Sequence, residues 1–200
     1  MTNAYLLGEG NDSVLIDAPE GVTDWLEQEG EMPKELLLTH QHYDHVQDTA
    51  KLVAKGDIKI RAYADYSQDL TLETYGSRSG IPISVQPYTV HEVLEKTETL
   101  VAGAYTFRIK YIPGHSTDSI AFITQAANDS TEDTAIYVFA GDTLFAGGIG
   151  RPDLPGGDLQ LLLDGINGKL LTLPDHAHVF SGHGAETSIG HERLNNPYLQ

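Results

Sequence analysis

Three histidines and an aspartate lie within one six-residue segment, His40-Gln41-His42-Tyr43-Asp44-His45. The segment follows a predicted buried strand at 35–39 and precedes a predicted amphipathic helix at 45–55, so it forms a turn at a sheet edge. Imidazole nitrogens and carboxylate oxygens are ligands for zinc, iron or manganese. So many potential ligands in one turn predict a metal site rather than ordinary surface histidines.

Three further turns have the same form, in which a strand is followed by small residues and one potential ligand. They are IPGHS around His115, FAGDT around Asp142 and FSGHG around His183, and Asp17 ends a fourth strand. Glycine beside each ligand allows close approach of the backbone. Because open sheets hold their sites at strand ends, we expect these side chains to meet at one centre.

The composition excludes several functions. The 200 residues carry 12 Lys and Arg against 29 Asp and Glu, a net charge of −17 that repels nucleic-acid phosphates. No cysteine is present, which excludes disulfides, thiolate ligands and a cysteine nucleophile. The apolar runs are far shorter than the ~20 residues of a membrane span, and the N-terminus lacks signal-peptide features. We therefore expect a cytoplasmic protein with no membrane or nucleic-acid partner, of undetermined oligomeric state.

The hydrophobic pattern predicts alternating strands and helices in one domain. Strands are predicted at 4–7, 13–17, 35–39, 58–62, 105–112, 119–124, 135–140 and 178–181. Helices are predicted from Pro19 through Leu26, at 45–55, near 69–75, from Asp158 through Leu170, and before Pro197. Residues 63–100 are otherwise ambiguous. This order favours a layered α/β fold with helices outside packed sheets.

The order HxHxDH, His, Asp, His resembles the metallo-β-lactamase superfamily. The stretches at 141–145 and 150–158, with GHG at 182–184 and NPYL at 196–199, resemble its short bacterial glyoxalase II type. The resemblance covers the whole chain and implies a four-layer αββα sandwich as a single domain over residues 1–200. The helical domain with which long glyoxalase II enzymes bind glutathione is not expected, which leaves glutathione specificity open.

The resemblance also implies a role for each ligand. His40, His42 and His115 would bind a first metal, and Asp44, His45 and His183 a second. Asp142 would bridge both metals, and Asp17 would orient the ligand loop. Two Zn²⁺ per chain are expected, with iron or manganese as alternatives. An activated hydroxide would then attack a small thioester such as hydroxyacyl-glutathione, with Asp44 and Asp142 as catalytic residues.

Other branches of the superfamily remain as alternatives. Flavodiiron relatives have glutamate where this chain has His42, and the absence of cysteine together with Asp142 points away from true β-lactamases. A persulfide dioxygenase would use one iron on His40, His115 and Asp142. A lactonase, a phosphodiesterase or a metal-binding domain without activity are the remaining hypotheses.

Residues around the ligands have two interpretations each. Arg151 would bind a substrate carboxylate, as a basic residue at the matching place does in glyoxalase II, or form an ion pair with Asp153 or Asp158. Tyr43 and Tyr111 would line the pocket or serve in packing. Four histidines without a family match are expected on the surface or in the core: His91, His176, His178 and His191. Glu192 and Arg193 are expected on a solvated helix face.

Overall fold

The computed structural model describes residues 1–125 and 134–200, which form two β-sheets with helices on their outer faces. The first sheet contains β1 (Tyr5–Leu7), β2 (Val14–Ile16), β3 (Glu35–Leu37), β4 (Lys59–Ala62) and β5 (Glu92–Val93) in that order. The second has the order β13-β12-β9-β8-β7-β6, with a separate β10–β11 hairpin. Its strands and the hairpin are β6 (Thr99–Ala102), β7 (Tyr105–Tyr111), β8 (Ile120–Gln125), β9 (Ile136–Gly141), β10 (Leu144–Phe145), β11 (Gly148–Ile149), β12 (His178–Ser181) and β13 (Thr187–Ser188).

The helices are short and cover both sheets. They are α1 (Val22–Glu29), α2 (Tyr43–Val46), α3 (Thr49–Lys55), α4 (Glu73–Ser79), α5 (Leu159–Gly165) and α6 (Ile189–Asn195), with a 3-10 turn at Gly10–Asp12 and a π-helical turn at Ile166–Leu170. Within the described ranges, no helix has the length and apolar character needed to cross a membrane.

The hydrophobic core lies in three layers between the four layers of secondary structure. The run Leu36-Leu37-Leu38 is an example, because alternate side chains of a strand point to opposite faces. Leu37 packs between the sheets with Val14 and Ile16, whereas Leu36 and Leu38 pack toward the helices with Leu26 and Leu52. A third cluster joins the second sheet to α5. The predicted αββα sandwich is confirmed.

The strand directions bring the predicted ligands to one edge. Strands β2, β3 and β4 are mutually parallel. In the second sheet β9 and β12 are parallel, and β7 has the same direction because β8 is antiparallel to both of its neighbours. The turns that follow β3, β7, β9 and β12 therefore leave their sheets at equivalent ends.

The helix predicted at 45–55 is divided into α2 and α3, which corrects the prediction. Asp48 lies at the break, and its carboxylate accepts hydrogen bonds from the backbone N–H groups of Gly21 and Thr23 at 3.1 and 3.0 Å. Asp48 thus satisfies the free donors at the start of α1. A tertiary contact of this kind overrides the helical periodicity of the segment.

Two other helices also differ from their predictions. The helix expected near 69–75 begins only at Glu73, whose buried carboxylate accepts from Tyr66, Thr71 and the backbone N–H of Val85. The helix after Asp158 is capped by the Asp158 carboxylate, which accepts from the Leu161 N–H at 3.0 Å. Its last turn, however, is π-helical.

The expectation of a solvated face at Glu192 and Arg193 is wrong. Glu192 is fully buried, and its carboxylate accepts from the Gly147 N–H, Thr187 Oγ1 and Asn196 Nδ2 at 2.9, 2.6 and 2.8 Å. Arg193 donates to backbone carbonyls and pairs with a carboxylate. The helix α6 is thereby attached to the β10–β11 hairpin, and three donors offset the cost of burying the charge.

Candidate metal centre

The structure brings together all seven side chains that the sequence nominates as metal ligands. They come from the turn after β3, from α2, and from the turns after β7, β9 and β12. Their ligand atoms form three overlapping groups, within each of which the atoms lie no more than 4.8 Å apart: His40, His42 and His115; His40, His45 and Asp142; Asp44, His45 and His183. Strands distant in sequence thus supply one compact centre.

The first part of the centre consists of the buried imidazoles of His40, His42 and His115. Their ring centroids are 4.7 Å apart for His40 and His42, 5.0 Å for His40 and His115, and 4.5 Å for His42 and His115. The Nδ1 atom of His115 lies 3.0 Å from the backbone carbonyl of Arg151. A donor at Nδ1 leaves Nε2 free to bind a metal.

The second part consists of Asp44, His45 and His183, with Asp142 between the two parts. His183 Nε2 lies 3.2 Å from Asp44 Oδ2 and 3.3 Å from Asp142 Oδ2. Asp142 Oδ2 is also 3.5 Å from His115 Nε2, and its Oδ1 is 3.3 Å from His45 Nε2. One carboxylate therefore faces both groups of histidines, as the bridging role requires.

The residues fit a metal, because several buried candidate ligand atoms make no hydrogen bond within the described parts of the protein. Within the described ranges, the Nε2 atoms of His40, His45 and His115 and the Oδ1 atom of Asp142 are buried without a hydrogen bond. An unsatisfied buried polar atom costs about 1–3 kcal/mol of folding free energy, so four of them close together would destabilise the folded protein considerably. A bound divalent cation would satisfy them together.

Asp17 holds the ligand loop from behind. Its Oδ2 atom lies 2.9 Å from His45 Nδ1 and accepts from Thr39 Oγ1 at 2.7 Å, while its Oδ1 accepts from the Thr39 N–H at 2.7 Å. Asp17 has a φ of +59°, a conformation in which aspartate and asparagine are enriched among non-glycine residues. These contacts hold both the backbone at Thr39 and the imidazole of His45.

Sequence analysis did not identify Thr2 or Gln41 as part of the centre. Thr2 Oγ1 donates to Asp44 Oδ2 at 2.7 Å across 42 positions of sequence. Gln41 is buried, with Nε2 donating to the Ala64 carbonyl at 3.0 Å and Oε1 accepting from the Tyr88 hydroxyl at 2.8 Å. The position of Gln41 between His40 and His42 is the one sequence feature that could have indicated its place in the centre. Nothing in the sequence links Thr2 to Asp44.

Glycine at position 182 is required by close packing at the centre. A Cβ atom there would overlap the Asp142 carboxylate and lie 2.6 Å from His45 Cε1. The backbone of the turn after β12 consequently approaches Asp142 and His45 more closely than any side chain at this position would permit. Gly182 is therefore a glycine beside a candidate ligand that the close packing requires.

A cavity of about 300 Å³ opens onto the ligands. Its apolar wall includes Leu72, Tyr75, Ile81 and Ile83, so the ambiguous 63–100 segment contributes much of the lining. Leu154, from the segment after β11, also lines the cavity. The cavity therefore combines a floor of metal ligands with walls suited to a small, partly apolar group.

The remaining predicted residues divide between the cavity and other places. Tyr43 and Arg151 both line the cavity, and the Arg151 guanidinium makes two bonds to Asp153, at 3.0 and 2.8 Å. Tyr111 is stacked on Tyr63 with ring centroids 4.2 Å apart, which supports its packing interpretation. Each of the four other histidines is exposed and away from the cavity: His91, His176, His178 and His191.

The two parts of the centre differ in their affinity for protons. Burial lowers the pKa of His42 to about 3, holds that of His40 well below its usual value, and lowers that of His115. In contrast, the carboxylates of Asp142 and Asp44 raise the pKa of His183 to about 10. Although burial opposes it, Asp17 and Asp142 raise the pKa of His45 well above its usual value.

Metal binding is therefore expected to depend on pH in the second part of the centre only. A ligand histidine must lose its proton to bind metal. Near pH 7 His40, His42 and His115 are already neutral, whereas His45 and His183 are protonated, so the second ion should release about two protons. Its affinity should rise steeply from pH 6 to 8.

Isothermal titration calorimetry of the metal-free protein with Zn²⁺ checks this, in buffers of different ionisation enthalpy. The first equivalent serves as the internal control, because its affinity and heat should not depend on the buffer after correction for Zn²⁺–buffer binding. Equal proton release by both equivalents would contradict the assignment of protons to His45 and His183.

The fold and the ligand cluster define an αββα sandwich protein with a histidine- and aspartate-rich metal site at one edge of its sheets. The model of the Metallo-beta-lactamase superfamily matches residues 1–183. The chain belongs to this superfamily. Its relatives include a protein named as a probable metallo-hydrolase.

Three similar proteins illustrate the relationship. The chain is 35% identical over 204 residues to "Probable metallo-hydrolase YqgX" of Bacillus subtilis, covering 98% of this chain and 92% of that protein. It is 33% identical to "Hydroxyacylglutathione hydrolase GloC" of Haemophilus influenzae, with the same two coverages, 98% and 92%. The crystal structure of BLEG-1 B3 metallo-beta-lactamase matches with a TM-score of 0.83 and 32% identity, covering 99% of this chain and 94% of that chain.

Proposed function

We propose that this protein is a metal-dependent hydrolase of the glyoxalase II type, which cleaves hydroxyacyl-glutathione or a related small thioester. The observation that carries the proposal is the set of seven ligands in two parts, with Asp142 facing both, beneath a cavity of about 300 Å³. Similarity to a hydroxyacylglutathione hydrolase over nearly the whole chain supports the same activity. We propose two Zn²⁺ ions per chain, with iron or manganese as alternatives.

Bound divalent cations would supply a water of lowered pKa and polarise the thioester carbonyl. The chain's own residues then orient the reaction. Asp142 lies between the two groups of histidines and Asp44 lies beside His183, while Thr2 and Asp17 fix Asp44 and His45 from behind. No serine or cysteine nucleophile is required.

The walls of the cavity would select the acyl group. The side chains of Leu72, Ile81, Ile83 and Leu154 line one part of the cavity without offering hydrogen bonds. Such walls exclude water and favour a short acyl chain over a highly charged one. The acyl carbonyl would then lie over the ligands, where polarisation is strongest.

We propose that Arg151 releases Asp153 and binds a carboxylate of the substrate in its place. Because Asp153 competes for the same guanidinium, Arg151→Ala should raise the KM of an anionic thioester severalfold, and Asp153→Asn should lower it. A neutral thioester of N-acetylcysteamine provides the control, since its KM should change little. Equal changes for both substrates would leave Arg151 a structural residue.

Hydrolysis of S-lactoylglutathione by the zinc-loaded protein tests the proposed function. We expect kcat/KM above about 10⁴ M⁻¹s⁻¹, within the usual range of enzymes, and no turnover by the metal-stripped protein. Two parallel assays test other activities of the superfamily. One measures β-lactam hydrolysis, and the other measures oxygen uptake by the iron-loaded protein with a persulfide. Turnover in either of these without thioester cleavage would overturn the proposal.

A further inference from the structure

A second cleft lies beside the metal cavity. Its volume is about 230 Å³, and its lining includes Asp69, Tyr75, Arg78, Thr117 and Pro155. No side chain of this cleft is among the predicted metal ligands. The cleft therefore has the size for a small polar group but no catalytic groups of its own.

The second cleft is continuous with the metal cavity along three segments of the chain. Tyr75 on α4 lines both spaces. His115 lines the cavity while Ser116 and Thr117, the next residues, line the cleft, and Leu154 is likewise followed by Pro155. A substrate held at the ligands could therefore extend past the Tyr75 ring into the cleft.

Arg78 brings a free positive charge to this cleft. In the described parts of the chain, no carboxylate lies within ion-pair distance of its guanidinium, and it makes no hydrogen bond. Arg151, the cation of the metal cavity, is by contrast already bonded to Asp153. In a protein with a net charge of −17, an uncommitted guanidinium next to the site is suited to a carboxylate.

Asp69 provides the opposite charge in the same cleft. It is exposed and has no side-chain ion pair or hydrogen bond among the described residues. A phosphate or a dicarboxylate would be repelled by Asp69, whereas an α-amino acid offers an ammonium to Asp69 and a carboxylate to Arg78. The pair of charges thus favours a zwitterion over a simple anion.

We propose that the second cleft binds the zwitterionic α-amino-acid end of the thiol carrier in the thioester substrate, with Arg78 on its carboxylate and Asp69 on its ammonium. This inference rests on the proposed thioester hydrolase function. It explains how the αββα domain itself could recognise a thiol carrier such as glutathione, whose γ-glutamyl residue has such an end. Arg78 and Asp69 are binding residues and take no part in the chemical step.

The spacing along α4 agrees with the length of such a carrier. Leu72, just before α4, lines the metal cavity, and Arg78 lies six residues further on. At about 1.5 Å per helical residue the two are roughly 9 Å apart along the axis. In a γ-glutamyl-cysteinyl thiol, seven bonds join the sulfur to the glutamyl α-carbon, roughly 9 Å when extended, so the α-amino-acid end of such a carrier would reach the cleft.

Calorimetric binding of S-hexylglutathione, a thioether that cannot be hydrolysed, tests the proposal on the metal-loaded protein. Arg78→Gln should weaken binding about tenfold and Asp69→Asn severalfold, as for partly exposed charge-assisted contacts. Arg108→Gln is the matched control, because Arg108 is also exposed and without a side-chain partner among described residues but lies on β7 away from the site. It should leave the Kd unchanged within twofold.

A second probe isolates the ammonium. The desamino analogue, S-hexyl-glutarylcysteinylglycine, should bind wild type severalfold more weakly than the parent, and Asp69→Asn should remove this difference. Equal binding of the parent to wild type and Arg78→Gln, or of both probes to wild type, would overturn the inference. Turnover of S-lactoylglutathione is measured in parallel, so failure of the hydrolase proposal is seen separately from failure of the cleft.

Discussion

Replacement of Asp142 by alanine is expected to lower metal content from about two ions per chain to one or fewer, and kcat/KM for a thioester by roughly 10³-fold or more. The Asp142 carboxylate is the only one placed between both groups of histidines in the described structure, within 3.5 Å of His115, His45 and His183. Alanine removes a ligand and a negative charge from both parts of the centre. Metal binding and rate should therefore fall together.

Metal analysis of the purified variant by mass spectrometry and steady-state kinetics at saturating zinc measure the two effects. Asp57→Ala is a matched control, since Asp57 is exposed and lies in the connection before β4. Circular dichroism verifies that both variants fold. Two tightly bound ions with normal turnover in Asp142→Ala would remove this residue from the centre.

The turns that carry the candidate ligands were predictable because each depends on local sequence. A strand, a turn of small residues and a histidine or aspartate recur in His115, Asp142 and His183, and parallel strands bring such turns to one edge. The hydrophobic pattern predicted buried strands in a layered α/β fold, and the specific αββα arrangement came from the resemblance to the superfamily. Continuous apolar runs such as Leu36-Leu37-Leu38 are typical of strands buried on both faces.

The parts that sequence could not predict depend on contacts between distant residues. Thr2 meets Asp44 only after the N-terminal strand reaches the turn beyond β12. Glu192 has the charge of a surface residue, and its burial follows from three donors supplied by other segments. The division between α2 and α3 likewise follows from a carboxylate that binds another helix. Hydrophobic periodicity carries no information on such polar contacts.

Replacement of Asp17 by asparagine is expected to weaken metal binding about 100-fold in the part of the centre that contains His45. Three donors converge on the two Asp17 oxygens: the N–H and Oγ1 of Thr39, and His45 Nδ1. An amide offers one oxygen and one NH₂ group, so in either orientation a donor faces another donor. Loss of a partner behind a ligand histidine typically costs 10–100-fold in metal affinity.

The asparagine variant separates this effect from backbone strain. Asp17 has a left-handed backbone conformation with a φ of +59°, which asparagine tolerates and alanine does not tolerate as well. Asp17→Asn should therefore lose less thermal stability than Asp17→Ala, which should lose both stability and metal affinity. Asp12→Asn, an exposed aspartate in the preceding turn, is the matched control.

Proton release provides a readout that a purely structural role would not change. In the wild type Asp17 raises the pKa of His45, so binding of the second ion must displace a proton there. Without the Asp17 charge, the pKa of His45 should fall, and Asp17→Asn should release fewer protons per second Zn²⁺ even as its affinity drops. Weaker metal binding with unchanged proton release would instead mean that Asp17 acts by holding the ligand loop. Proton release changes only if the Asp17 carboxylate sets the charge of the His45 imidazole.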